Sequence, residues 1–500
     1  MTDEQPLAAI DIGSNSFRLE IGQVRRGRYK RLLYLKRVVR LGAGLDAQSR
    51  LTDTAAQRGL ECLAEFAREL HGFDPQRVRA VATQTLREAA NRNEFLGRAE
   101  PVLGHPIEVI SSREEARLIY AGVSFLQPGH EQRLVIDIGG RSTELILGHE
   151  RTPIAAESFP VGSVGLSMRY FADGSMTAAA FRAAQVAAGA EFEEGLTTFS
   201  PDRWQLALGS SGTVGAVSDV LRASHVTDGR ITPAALAWLI ERCTAAGHVD
   251  RIDLPGLKDD RRPVVPGGLA ILYTLAVHFR IQELHPAKGA LRQGVIVDLH
   301  GRLGAMRKLG QKDLRDRTVS ELQHRFDVDR AQAQRVRELA LALHAGVATA
   351  ADAGDAEARR ELGWVCDLHE IGMAVSHHDH HRHSAYLMGH LDAPGFSQSQ
   401  QRHLADLVLA QRGGLRKVAP LLTDPGAAWQ VLCLRLAVIA CHARGALQGP
   451  ELVLERSGEE LALLRWKPGR RVPDLRMLHL LQQETEAWTR SGPLRLHVQA

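Results

Sequence analysis

Residues Ala9–Gly22 and Val135–Gly148 spell nearly the same segment twice, AIDIGSNSFRLEIG and VIDIGGRSTELILG. Asp11 and Asp137, Gly13 and Gly139, Ser16 and Ser142, Leu19 and Leu145, and Gly22 and Gly148 coincide at one constant offset. Each copy is an apolar strand ending in Asp, then a turn of small residues, then a second alternating strand. That pattern is a hairpin whose turn gathers backbone N–H groups and hydroxyls beside a carboxylate. Such a turn makes an anion-binding concavity, and the carboxylate can hold a divalent cation. One copy alone would be an ordinary Gly-containing hairpin. Two copies in register predict two lobes whose turns face each other and clamp a phosphate chain.

Five hundred residues exceed what one core supports and predict several domains. The five cysteines form no C-x-x-C pair, which speaks against a disulfide framework or a zinc knuckle. The first residues, MTDEQP, are acidic and lead directly into a strand, so no signal peptide is expected. The longest apolar run, Leu269 to Phe279, is well short of the ~20 residues that cross a bilayer. A soluble, cytoplasmic protein with no membrane partner is the expectation. The net charge of +4 is unevenly placed: residues 1–300 balance at 35 basic and 35 acidic, whereas residues 301–500 hold 27 and 23. That small excess has the sign needed if the C-terminal part must tolerate a long polyanion.

A duplicated hairpin with helices after each copy is the signature of a two-lobed actin-like ATPase (ribonuclease H-like) architecture, α/β in class. The first lobe is expected over residues 1–126 and the second over 127–304, with QPGHE at Gln127 to Glu131 as the hinge. Thr52 is placed to cap a helix carrying Leu60, Leu63, Ala64, Ala67 and Leu70. Arg79 to Thr83 reads as a strand ending in TQTLR, and Ile107 to Ile110 as a strand leading into the helix start SSREEARLIY. A helix is expected from Ala178 to Gly195. From Ala305 the pattern turns to amphipathic helices, an all-α domain over 305–449. After a break at Gly449 and Pro450, a small α/β domain over 450–500 is expected, with a hairpin at Glu451 to Trp466, a helix at Asp474 to Arg490 and a strand at Leu494 to Val498.

Asp11, Asp137 and Glu144 are the candidate metal-side carboxylates, an oxygen-only set that suits Mg²⁺, or Mn²⁺ in its place. Ser14, Asn15 and Ser16 in the first turn, with Gly139, Gly140, Arg141 and Ser142 in the second, form the candidate phosphate cradle. LALGSSGTV is a strand, a turn and a helix N-terminus, which makes Ser211, Gly212 and Thr213 a further anion site. Thr85 and Arg87 lie in TQTLR, and Arg87 suits bidentate phosphate binding and charge neutralisation. Glu115 has two readings. Ser112-x-x-Glu115 fits a capping box, as does Ser111-x-x-Glu114. A carboxylate there could equally deprotonate a water for attack on a terminal phosphate.

Together with DRRPVVPGGLAIL and ALRQGV, these segments resemble the exopolyphosphatase / guanosine pentaphosphatase (Ppx/GppA) family, in family order from residue 8 to 297. LHEIG, HRHSAYL and DAPGF extend the likeness into the helical part, which implies the long form with an HD-like domain. The resemblance implies that Glu115 is the catalytic base, that Asp137 and Glu144 are metal-linked, and that Arg87 binds phosphate. It implies hydrolysis of the terminal phosphate of inorganic polyphosphate. The alternatives are removal of the 5′ phosphate of guanosine pentaphosphate (pppGpp), a non-catalytic sensor of polyphosphate or guanosine tetraphosphate, and a sugar- or acetate-kinase-like ATPase. A homodimer is expected and a nucleic-acid partner is not.

Two departures stand out. The family's second turn usually carries a third glycine where this chain has Arg141. If that position needs positive φ, the arginine is strained there; it could add a phosphate contact or obstruct the cleft, and the contact is the expectation. In the helical part, Glu370 follows His369 where an HD metal site would want Asp, although His377, His378, His380, His381 and His383 cluster nearby.

Overall fold

The computed structural model describes residues 5–307, 313–348, 356–444, 452–466 and 475–499. The chain divides into two compact units, Met1–Gln311 and Lys312–Ala500.

In the first unit, β1 (Leu7–Ile12), β2 (Ser16–Arg25), β3 (Arg28–Val38), β4 (Val78–Ala82) and β5 (Ile107–Val109) form one sheet in the order β3-β2-β1-β4-β5. The first three strands are an antiparallel meander, while β4 and β5 run parallel to β1. The second sheet repeats the plan with β6 (Gln132–Ile138), β7 (Thr143–His149), β8 (Thr152–Phe159), β9 (Leu206–Ser210) and β10 (Leu284–Pro286), in the order β10-β9-β6-β7-β8. The duplicated segments are thus β1–β2 and β6–β7, as expected. Gly13 and Gly139 do the same work in each: an added Cβ would lie 3.1 Å from the Ser16 carbonyl and 3.0 Å from the Ser142 carbonyl, respectively.

Helices of the first lobe are α1 (Asp53–Glu69), α2 (Gln84–Glu88), α3 (Arg92–Leu103) and α4 (Ser112–Leu126). Those of the second are α5 (Ser163–Tyr170), α6 (Ala178–Phe192), α7 (Gly212–Ala223), α8 (Pro233–Ala246), α9 (Val265–His278) and α10 (Leu291–Arg307). The apolar run at Leu269 is α9, a core helix of the second lobe. Thr52 does stand at the N-cap of α1, but its hydroxyl makes no capping bond. TQTLR is not the end of a strand. Strand β4 stops at Ala82, and Gln84 onward winds into the single turn of α2, which carries Thr85 and Arg87 on one short rigid element.

Helix α10, last of the second lobe in sequence, packs back on α4 and β1 of the first, and the expected change at Ala305 falls inside it. The crossing is close because it is made of glycines. A Cβ on Gly294 would lie 1.7 Å from the Leu118 carbonyl, and one on Gly122 would lie 2.4 Å from that of Ala290. Beside it lies a buried ionic network. Asp298 of α10 accepts from Arg79 at 2.8 Å, Arg117 at 2.6 Å and Arg302 at 2.7 Å. Arg117 also pairs with Glu114 at 2.7 Å, which fixes the first turn of α4.

The second unit has helices α11 (Leu314–Arg325), α12 (Arg330–Val347), α13 (Ala356–Leu368), α14 (His380–His390), α15 (Gln398–Ala410) and α16 (Pro425–Ala440). The expected hairpin is β11 (Leu452–Ser457) and β12 (Leu461–Trp466), followed by α17 (Leu475–Ser491) and β13 (Arg495–Gln499), which pairs parallel to β12. The break at Gly449 and Pro450, and Asp474, lie outside the described residues. Leu454, Leu464, Leu481 and Trp488 share one apolar cluster with the helices. A buried pair ties α16 to α17, with Arg435 donating to Glu484 at 2.5 and 2.7 Å. Among the described residues no helix is long and apolar enough to cross a membrane.

Candidate active site

The two turns face each other. A Cβ on Gly140 would lie 3.3 Å from the Ser14 side chain. The first turn is held from behind where the amide of Gly42 donates to the Ser14 carbonyl at 2.8 Å, and the second where Val164, at the start of α5, donates to Gly140 at 2.8 Å. Between them opens a cleft of about 330 Å³. Asp11, Ser14, Asn15, Ser16, Glu115, Asp137, Gly139, Gly140, Arg141, Ser142, Ser211, Gly212 and Thr213 all line it. Thr85, Arg87 and Glu144 stand behind that wall and act through it: Thr85 donates to Ser14 Oγ at 2.8 Å, and Arg87 Nη1 donates to Glu115 Oε2 at 2.7 Å.

The capping role of Glu115 is excluded by geometry. Ser111 is the cap of α4, and its hydroxyl accepts from the Glu114 amide at 3.2 Å. Glu114 turns into the buried network while Glu115 turns into the cleft onto Arg87. Arg87 is itself fixed by the Ile110 carbonyl at 3.0 Å and by Gln84 at 2.6 Å. Burial raises the Glu115 carboxyl above its ordinary range, with Arg87 acting against the rise and Asp137 and Asp11 adding to it.

Asp137 and Glu144 are opposite partners in the β6–β7 ladder. Glu144 is fully buried and accepts from Ser142 at 2.7 Å and Ser158 at 2.9 Å. Its carboxyl is pushed well above the ordinary range, by burial first and then by Glu115 and Asp137. Burial also raises Asp137. Asp11 differs, because its Oδ2 accepts from Arg18 at 3.1 Å and from Arg292 at 3.4 Å. The duplicated aspartates are therefore not equivalent: Asp11 is paired with two guanidinium groups, whereas burial holds the Asp137 carboxyl above its ordinary range. Among the described residues no three His, Cys, Asp or Glu side chains converge as a ready-made metal cage. Mg²⁺ binds through one or two carboxylates with waters and substrate phosphate, so the crowded Asp137–Glu144 pair fits it, whereas Asp11 is committed to arginines.

Arg141 does not have positive φ, so its replacement of glycine strains nothing. Its guanidinium goes to Glu88 of α2, with Nη2 at 2.9 Å and Nε at 3.0 Å, and to the Gly42 carbonyl at 3.4 Å, rather than standing ready for a phosphate. The strained residue is Ser211, at φ 106° and ψ 165°, where the GSSGT loop enters α7. Arg261 closes over that helix start, since a Cβ on Gly212 would lie 2.1 Å from its guanidinium.

Sequence reasoning missed most of the cations. Arg18, Arg31, Lys36, Arg261, Lys288 and Arg292 line the same cleft. Arg31 and Arg292 stack on Tyr34 at 5.5 and 5.2 Å. Buried Glu20, bonded to Tyr29 and to Gln293 at 2.7 Å, takes Arg292 Nε at 3.3 Å and aims its guanidinium at Asp11. Arg18, Arg261 and Arg292 sit inside the segments that carried the family resemblance, so the signal was present. Arg31, Lys36 and Lys288 lie in loops and edge strands with no motif around them.

In the second unit, His369 is buried with Nδ1 on the Cys366 carbonyl at 2.7 Å, and Glu370 is paired with Arg444 at 2.5 Å. A guanidinium thus faces the acid that an HD site would give to a metal.

The Ppx/GppA phosphatase family model matches residues 21–303, and the model of domain III of that family matches residues 314–468. An exopolyphosphatase-like protein of known structure is 26% identical, with a TM-score of 0.55 over 61% of this chain and 100% of its own. The PPX-GPPA enzyme of Aquifex aeolicus is 25% identical, with a TM-score of 0.50 over 59% and 99%. An exopolyphosphatase from Cytophaga hutchinsonii, 23% identical with a TM-score of 0.54 over 59% and 98%, shares the fold. The duplicated actin-like lobes, the cleft between their turns and these matches agree: the chain belongs to the Ppx/GppA phosphatase family.

Proposed function

We propose that the chain is an exopolyphosphatase, hydrolysing the terminal phosphoanhydride bond of inorganic polyphosphate with release of orthophosphate. One observation carries this reading: a single cleft brings the carboxyls of Glu115 and Asp137, with Glu144 buried behind them, together with six cations, Arg18, Arg31, Lys36, Arg261, Lys288 and Arg292. A linear polyanion with one reacting terminus matches that combination.

An arriving terminal phosphate competes with Glu115 for Arg87. Once Arg87 turns to phosphate, Glu115 loses its neutralising partner and becomes a stronger base. It takes a proton from water as the water oxygen bonds to the terminal phosphorus. The anhydride P–O bond breaks and the shortened chain leaves with the electron pair, its charge met by the cationic wall. Mg²⁺, held by Asp137 and Glu144, would supply further charge neutralisation at the phosphoryl oxygens.

The test is orthophosphate release from long polyphosphate and from guanosine pentaphosphate, side by side, in the parent and in Glu115→Gln. Release from polyphosphate that disappears in the variant supports the reading. Release from guanosine pentaphosphate alone, or from neither, overturns it.

A further inference from the structure

Arg141 and Glu88 face each other from different lobes. Arg141 is in the turn between β6 and β7; Glu88 is the last residue of α2. The pair spans the cleft at 2.9 Å, with each side chain about a third exposed. The contact continues inward. The other Glu88 oxygen accepts from Gln84 Nε2 at 2.5 Å, Gln84 Oε1 accepts from Arg87 at 2.6 Å, and Arg87 donates to Glu115 at 2.7 Å. An unbroken run of hydrogen bonds therefore leads from a residue of the second lobe, through Glu88 and Gln84 of the first, to the acid on the cleft floor. A second pair, Lys36 with Asp260 at 3.0 Å, also joins the lobes.

We propose that Arg141 and Glu88 form an interlobe strap that holds the cleft closed and, through Gln84, sets the position of Arg87. Glycine at position 141 could make no such bond, so the strap belongs to this chain's own turn. Both residues are positioning residues: they act on substrate through closure and through Arg87. The proposal rests on the functional reading above only where it speaks of substrate; the closure itself does not depend on what the cleft hydrolyses.

The experiment measures closure directly. Nitroxide labels at Arg68→Cys on α1 and Arg182→Cys on α6, both exposed, report the interlobe distance by pulsed electron spin resonance. The five native cysteines are buried. The full-length chain is compared with Glu88→Gln, with Arg141→Gly and with the inverted pair Glu88→Arg/Arg141→Glu. The strap predicts that either single substitution shifts the distribution to longer distances and that the inverted pair restores it. It also predicts a rise in KM for polyphosphate of about two- to fivefold in the single variants, the range open to a partly exposed ion pair, with recovery in the inverted pair. Four superimposable distance distributions, or an inverted pair as open as the single variants, would overturn the strap. A parent that closes as described yet releases no orthophosphate from polyphosphate would instead overturn the proposed function and leave the strap standing.

Discussion

Ser211 occupies a backbone region that glycine alone enters readily, at the start of the helix that faces the cleft. Ser211→Gly should relieve that strain and raise stability by about 1 kcal/mol in urea unfolding, with an unchanged m-value. The acids of the cleft store a second kind of tension. Glu144→Gln should raise the melting temperature by a few degrees, because it removes a buried carboxyl whose ionisation Glu115 and Asp137 oppose, and should lower kcat in the same protein. Glu115→Gln should lower kcat by about a hundredfold or more with KM little changed, as the amide keeps the size of the side chain and loses the basic oxygen. Single-residue chemistry was legible where the sequence repeats itself: Asp137, Ser142 and the two turn glycines stand where the register puts them. The fate of Asp11 was not, because one of its two arginine partners, Arg292, is 281 residues away. Arg141 escaped for the same reason, its counter-ion being supplied by another lobe.

Helices α4 and α10 cross at glycines, and that crossing seats Glu115. Gly294→Ala would force a Cβ into the Leu118 carbonyl, so it should destabilise the protein by about 3 kcal/mol and lower kcat together, read by denaturant titration and turnover. The strands of the duplicated hairpins were readable because their alternation and β-rich composition agree with their place in a sheet, whereas β3 and β8, which complete the two meanders, were not expected. α2 was not, because a single helical turn is too short for a period to show. The two capping boxes at Ser111 and Ser112 could not be separated in sequence, since a shift of one residue changes only which acid faces the cleft. What decides between them is the pull on Glu114 of Arg117 and of Arg79, both held in place by Asp298 of α10, a tertiary contact.

Across the first unit, Glu115, Asp137 and Glu144 keep their protons above the ordinary carboxylate range. Between that range and their raised values the folded state binds more protons than the unfolded one, so their contribution to stability declines as pH rises through the window. A divalent cation answers the same charge. Mg²⁺ should therefore raise the melting temperature more at about pH 8 than at about pH 5, and chelation should reverse the gain. The six cations that line the cleft belong to residues 1–300. They come from the balanced part of the chain, where overall neutrality hides their clustering. The first unit also has its own cores, ending at Leu303. The two aspartates of the repeat have become unlike, one tied to arginines and the other buried with its carboxyl raised. Under the proposed function, this broken symmetry gives the cleft a sense of direction: a thread can lie along it with its body toward Asp11 and its tip toward Asp137, but not the other way round. An enzyme built on such a polar track shortens chains from their ends, and an internal bond laid across it finds no base.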